Sequence, residues 1–198
     1  MDETTRQKKE RKLWDKLAAG YDGRTLQIYE KAYSRSIERA AEVLEPGDRV
    51  LEIGCGTGII ALGIAPYADE VIGTDISPEM IEVAQRKAED QEVGNVSFRV
   101  ADGYDLPFED GAFDAVLIFN TLHVVKEPDV LLHEAHRLLK PSGYLMTATD
   151  CYAEPVPFRV RLMLIAQAIL KRLGVIPFMW YATREELRER IEACGFAV

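Results

Sequence analysis

The segment Arg49-Val50-Leu51-Glu52-Ile53, followed at once by Gly54-Cys55-Gly56-Thr57-Gly58 and Ile59-Ile60-Ala61-Leu62, constrains this chain more than any other. An apolar run of strand length that turns straight into a helix needs backbone angles that glycine tolerates and other residues resist. Glycines without Cβ atoms also leave the main chain bare, so a ligand can lie against it. The helix end behind the loop offers unpaired N–H groups and partial positive charge, which favours a carboxylate-bearing ligand. Glu52, an acid inside the strand, can offset positive charge on that same ligand.

The alternation continues along the chain. A second strand reads Glu70 to Asp75, and Ser77 then caps a helix with Pro78 at its first position. Met80, Ile81, Val83 and Ala84 form that helix's apolar face. Val96 to Ala101 is the third strand, closing on Asp102-Gly103. The fourth, Phe113 to Phe119, is nearly all apolar, as expected of a strand covered on both faces. Pro128 opens a helix with Leu131, Leu132, Ala135, Leu138 and Leu139 on one side, and Lys140-Pro141-Ser142-Gly143 stops it. The fifth strand is Tyr144 to Thr149. A last helix starts at Thr183 with Glu186 three residues on, a capping box, and ends at Gly195. This order predicts an α/β fold, a Rossmann-like doubly wound and mostly parallel sheet with helices on both faces. Residues 1–198 are read as one domain, with a helical region over 1–45.

Three acids close three successive strands or stand inside them. Asp75 lies 21 positions after Gly54, near the offset of about 20 at which an acid reaches a ribose diol in nucleotide-binding folds. Asp102, with Gly103 behind it, can accept a hydrogen bond from an adenine amino group. With Glu52 they line the crevice at the strand ends, where open α/β sheets bind ligands.

Composition excludes several classes. The net charge is −9, against the basic face that nucleic-acid binding needs, so no nucleic-acid partner is expected. The one basic run, Arg6-Gln7-Lys8-Lys9-Glu10-Arg11-Lys12, reads as a solvated, partly frayed helix start, the alternative being contact with an anionic surface or RNA. The 3 cysteines, Cys55, Cys151 and Cys194, form neither a CxxC pair nor a Cys/His cluster, so no metal is expected and a reducing cytoplasm fits best. No apolar stretch reaches the roughly 18 residues of a membrane span, and Met1 to Lys16 lacks the apolar core of a secretory signal.

Val50-Leu51-Glu52-Ile53-Gly54-Cys55-Gly56-Thr57-Gly58 resembles the glycine motif of class I S-adenosylmethionine (SAM)-dependent methyltransferases. Gly73-Thr74-Asp75-Ile76-Ser77-Pro78-Glu79-Met80, Val100-Ala101-Asp102-Gly103-Tyr104-Asp105-Leu106-Pro107-Phe108, Phe113 to Val116 with Asn120 to Val125, and Leu138 to Tyr144 are similar to the family's later motifs in order. Trp14-Asp15-Lys16-Leu17-Ala18-Ala19-Gly20-Tyr21-Asp22 is similar to the N-terminal segment of the quinone-biosynthesis subgroup. The resemblance runs from about Trp14 to Phe196. It implies SAM as cofactor, S-adenosylhomocysteine as product, no metal, and a small-molecule methyl acceptor; the apolar stretch Pro155 to Tyr181 suggests that this acceptor is apolar, quinone-like or lipid-like. It also implies roles. Asp75 holds the ribose hydroxyls, Ile76 and Met80 flank the adenine, and Asp102 and Gly103 read its edge. Gly54, Cys55, Gly56, Thr57 and Gly58 pass the methionine moiety, with Glu52 opposite its positive charge. Asn120 approaches the amino-acid end, and Tyr21 closes over the sulfonium or simply packs. Two other readings stand beside this one: a SAM binder without turnover, and an NAD-dependent oxidoreductase. The second rests on Gly56-Thr57-Gly58-Ile59-Ile60-Ala61 as a loose G-x-G-x-x-A, and leaves Glu52 and the later motifs unexplained.

Methyl transfer from a sulfonium is an in-line displacement, so alignment matters most and a base is needed only if the acceptor must lose a proton. His123, Tyr21 and Asp150 are the candidate bases, with Tyr152 and Asp22 behind them; His123 reads more readily as a structural or pocket-wall histidine than as a base. The apolar stretch Pro155 to Tyr181 reads as a lid over an acceptor pocket, within an insertion spanning 152–181. A dimer contact or a core helix accounts for it equally, and peripheral membrane contact through 157–181 is left open. The residues Gly195-Phe196-Ala197-Val198 end where the family begins strand six, so the C-terminal antiparallel hairpin is expected to be incomplete. An unpaired edge on strand five then predicts lowered stability or a homodimer.

Overall fold

A computed structural model describes residues 4–152, 165–166, 180 and 182–198. Its centre is a five-stranded parallel sheet. The strands are β1 (Arg49–Ile53), β2 (Glu70–Asp75), β3 (Val96–Val100), β4 (Phe113–Phe119) and β5 (Leu139–Ala148), in the order β3-β2-β1-β4-β5. The order reverses between β1 and β4, which places the switch point of the sheet beside the glycine loop.

Around it, among the described residues, lie α1 (Thr5–Ala18), α2 (Tyr21–Ala41), α3 (Ile59–Ile64), α4 (Pro78–Asp90), α5 (Pro128–Leu138) and α6 (Arg184–Ala193). A 3-10 turn, Ala65–Tyr67, extends α3. A small parallel pair, β6 (Cys151–Tyr152) with β7 (Ala182–Thr183), lies apart from the main sheet.

Alternation along each strand divides the core into two faces. Val50, Val71, Ala115 and Leu117 pack with Ile60, Ile64, Ile81 and Ala84 on one side. Leu51, Ile72, Val116 and Ile118 pack with Leu131, Leu132, Ala135 and Leu138 on the other. All eight strand residues are fully buried, and each of the larger ones, the valines, leucines and isoleucines, contributes roughly 1.5–3 kcal/mol. Both caps read from the sequence are present: Ser77 Oγ accepts from the Met80 amide, and Thr183 and Glu186 form the capping box of α6.

The elements differ from expectation in three places. Leu139 belongs to β5, not to α5: its amide bonds back to the Ala135 carbonyl, but its own backbone is extended. The Lys140-Pro141-Ser142-Gly143 stop is a bulge within β5, because pairing jumps from Phe113↔Leu139 to Ala115↔Tyr144. The basic run is not a frayed start. Thr4 and Gln7 form a capping box for α1, and Arg6 and Gln7 turn inward, as described below. Among the described residues β5 is the outer strand on its side of the sheet. The lid reading falls on residues outside those described, apart from Ile165, Ala166 and Trp180.

Candidate functional site

The C-terminal ends of β1 to β4 open into one crevice. Glu52, Gly54, Gly56, Asp75, Asp102, Gly103 and Asn120 all line it, as do Ile76, Met80, Cys55, Thr57 and Tyr21. Among the residues assigned to the cofactor, only Gly58 is absent from that lining. It lies behind the loop at φ +75, where a Cβ would come within 2.7 Å of the Phe98 ring.

The loop is held by its own hydrogen bonds. The Gly54 and Cys55 amides donate to the Thr74 carbonyl, at 2.7 and 2.9 Å, and the Gly58 amide to that of Cys55, at 2.9 Å. The Gly56 amide donates to Asp75 Oδ2 at 2.9 Å, and the Ser77 amide to Asp75 Oδ1 at 2.9 Å. Helix α3 spans only six residues. The anion cradle expected of this loop is therefore largely spent internally. What faces the crevice is acid. Gly56, at φ +52 with nothing within 4 Å of an added Cβ, is the point where the main chain stays bare.

Glu52 is the most unusual residue. It is 2% exposed, and among the described residues its Oε2 has no hydrogen-bond partner. Burial pushes its carboxyl up to about 8; the Ala61 amide and the Lys87 ammonium pull it down, and Asp75 adds to the rise. Asp75 is raised to about 6, again by burial first, against the amides of Ser77, Gly56 and Ile76. Both carboxylates are costly to hold as anions without a cation nearby. The Cys55 thiol is buried and held well above the ordinary thiol range by burial, Glu52 and Asp75, so it is inert.

Asp102 differs. Arg6 forms an ion pair with its Oδ2, Gln7 Nε2 donates to the same oxygen at 2.8 Å, and the Tyr104 amide reaches Oδ1 at 3.3 Å. The Arg6 guanidinium also lies 4.4 Å over the Tyr104 ring and pairs with Glu10. Helix α1 thus forms a wall of the crevice through Arg6, Glu10 and Trp14. Its position is also held by Ser77 Oγ donating to Asp15 at 2.7 Å.

The candidate bases separate. Tyr21 lines the crevice. His123 does not: it is 8% exposed, its Nδ1 lies 2.9 Å from Thr149 Oγ1, and burial lowers its pKa against the pull of Asp150. Asp150 is exposed and accepts from Tyr29 Oη at 3.3 Å. Asp22 is tied to Thr57 and Lys87 rather than free to take a proton. For Tyr152 only the backbone is described. Among the described residues no cluster suited to a metal occurs.

Several lining residues carried no sequence signal of their own. Tyr33 of α2 is buried against the site, with its hydroxyl held high by desolvation. Thr121 Oγ1 donates to the Phe119 carbonyl at 3.0 Å and occupies the space a Cβ on Gly54 would need. Asn120 adopts the left-handed region, φ +53, as its amide bonds to the Ala148 carbonyl at 2.7 Å. The turn aims β4's end into the crevice, and asparagine is among the few residues that accept it readily.

The methyltransferase domain family matches residues 51–147. The demethylmenaquinone methyltransferase of Tropheryma whipplei (strain Twist) is 30% identical over 201 residues, covering 94% of this chain and 82% of that protein. The chain belongs to the SAM-dependent methyltransferases. Its fold matches the structure of the YcgJ protein from Bacillus subtilis, with a TM-score of 0.71 and 26% identity over 83% of this chain and 69% of that one. It also matches a SAM-dependent methyltransferase of Thermotoga maritima described as a possible histamine N-methyltransferase, with a TM-score of 0.67 and 25% identity over 93% and 80% of the two chains. For this methyltransferase SAM is the cofactor, and the nicotinamide and silent-binder readings fall away. The donor set suits it: an orphaned carboxylate oxygen on Glu52 and a raised Asp75 face a ligand that carries an ammonium, a sulfonium and a diol.

Proposed function

We propose that the crevice holds SAM along the strand ends and presents its methyl group to a small, apolar, quinone-like acceptor entering beside Asn120 and Tyr21. The observation that carries this is Glu52 Oε2, a buried acceptor with no partner among the described residues. Leaving such an oxygen unsatisfied costs about 1–3 kcal/mol, and a cationic ligand group removes that cost. In this reading Glu52 meets the ammonium and Asp75 the ribose hydroxyls. Asp102 and Gly103 read the adenine, flanked by Ile76 and Met80, and the glycine loop passes the methionine arm. Tyr21 closes the sulfonium end, with Asn120 near the amino-acid group.

When bound, SAM supplies an activated methyl on a sulfonium leaving group. The chain's own part is alignment and exclusion of water: Gly56 lets the ligand approach, and α1 and Tyr21 cover it. The acceptor class rests on the T. whipplei relative, named for demethylmenaquinone. Residues 1–198 are read as serving this one site, and the free thiols of Cys55, Cys151 and Cys194 suit a reducing cytoplasm.

Calorimetry with SAM, with NAD as a control, tests the binding half. Wild type is expected to bind SAM and ignore NAD, with Asp75→Ala losing most of the affinity. The acceptor half is tested by transfer of a radiolabelled methyl group to reduced naphthoquinones and benzoquinones against catechol and amine acceptors. SAM binding without transfer to any quinone would overturn the acceptor class alone.

A further inference from the structure

Lys87 lies in the last turn of α4, on a stretch, Gln85-Arg86-Lys87-Ala88-Glu89-Asp90, that reads as an ordinary solvated face. It is not used as one. Its side chain is only 23% exposed, and its Nζ donates to Asp22 Oδ2 at 2.7 Å and to the Thr57 carbonyl at 2.9 Å. The Thr57 hydroxyl in turn donates to Asp22 Oδ1. The three groups close a ring across three elements: the first turn of α2, the glycine loop and α4. Thr57 is 1% exposed and the Lys87 and Asp22 side chains are 23% and 30% exposed, so the ring is half-buried and its bonds are charge-assisted.

The ring's neighbours belong to the site. Tyr21 precedes Asp22 and lines the crevice, as does Thr57. Gly20, at φ +71, breaks the chain between α1 and α2 immediately before them. The start of α2 therefore depends on side-chain ties to keep its place above the loop. We propose that Lys87 is a positioning residue of the methyl-donor site: through Asp22 and the Thr57 carbonyl it fixes Tyr21 and the glycine loop in one arrangement. This rests on the SAM reading of the crevice.

Lys87 acts on the site a second way. Its ammonium, together with the Ala61 amide, pulls the Glu52 carboxyl down against burial and the neighbouring Asp75, which leave it raised at about 8. Cys55 and Tyr33 are further titratable groups beside Glu52; burial holds both above their ordinary ranges, so both stay neutral. A lysine acting only as packing would change neither the tyrosine's place nor the ionisation of Glu52.

The test is calorimetric SAM binding to full-length wild type, Lys87→Met, Lys87→Arg, Asp22→Asn and the double variant Asp22→Asn/Lys87→Met, each at several pH values. The double variant leaves no unpaired buried charge, so it remains informative if a single variant fails to fold. Asp22→Asn and Lys87→Met are each expected to weaken SAM about tenfold, with the double variant no worse than either, as members of one network behave. Lys87→Arg is expected to recover most of the affinity. In Lys87→Met the pH at which binding reaches half its plateau moves upward. Unchanged affinity in both single variants, strictly multiplicative losses in the double, or an unmoved pH midpoint would overturn the proposal. Failure of wild type to bind SAM at any pH would instead overturn the reading of the crevice itself.

Discussion

The two ends of the crevice hold their acids in opposite ways. At the β3 end, Asp102 is already satisfied: Arg6 and Gln7, brought from 96 and 95 residues away, bond the oxygen that faces them. At the β1 end, Glu52 is buried with an oxygen that nothing among the described residues meets. The first end is a closed contact, part-exposed and open to screening by salt. The second is a vacancy in the hydrogen-bond network, shielded from water, where a ligand cation interacts strongly. Affinity should therefore come mainly from the Glu52 end, and access mainly from the Asp102 end.

Substitutions in the shielded half should have the largest effect. Asp75→Ala removes the acceptor for both the Gly56 and Ser77 amides, so loop and ribose contacts fail together; SAM affinity should fall by about 100-fold or more, the loss of roughly two charge-assisted bonds. If calorimetry shows less than about fivefold, the difference between the two ends is not the one drawn here.

The pH dependence comes next. The Glu52 carboxyl is near 8 in the fold and near 4.3 in the unfolded chain. Its folded value is raised, so the folded state binds the proton more tightly. Stability from this group is complete below about 4.3 and is lost as pH rises through about 8. The apo protein's melting temperature should fall between pH 5 and pH 9, and Glu52→Gln should flatten that fall. SAM binding at pH 7 should release protons from wild type, seen as a dependence of the heat on buffer ionisation enthalpy, and release fewer from Glu52→Gln. A flat wild-type curve would contradict a buried, proton-binding Glu52.

Arg6 should show a smaller effect of opposite sign. Reading an adenine amino group asks Asp102 to give up one of its present donors. Arg6→Ala is therefore expected to speed SAM association a few-fold at low salt, an advantage that shrinks as ionic strength rises because wild-type Arg6 is then screened as well. Slower association in stopped-flow would make α1 a support for the adenine rather than an obstacle. The exposed Arg86–Glu82 pair on α4 sets the floor: Arg86→Ala should change stability by less than about 0.5 kcal/mol and leave SAM binding alone.

Legibility followed the same division. The strands β1, β2 and β4 were read to the residue, because an apolar run bounded by turn residues is a local signal. Ser77, Thr183 and Glu186 were legible as caps for the same reason. Position 139 was not. Leu139 continues the apolar face of α5 by spacing, and only its pairing with Phe113 pulls it into β5. His123 stands after β4 in the sequence, yet its ring turns to Thr149 rather than to the crevice; the order of residues along a chain does not say which way a side chain leaves it.

By itself, the sequence determined the parallel α/β sheet, the bare glycine loop and the set of acids at the strand ends, all of which depend on neighbours a few positions apart. Only the tertiary structure decided how those acids are partnered. Arg6 looked like surface charge and became the cover of Asp102, Lys87 carried no signal of its own and became the tie to Asp22, and Glu52 Oε2 was left without a partner among the described residues. Each outcome depends on which distant group arrives within about 3 Å, and on how much water has been excluded there, and neither quantity is carried by local composition or spacing.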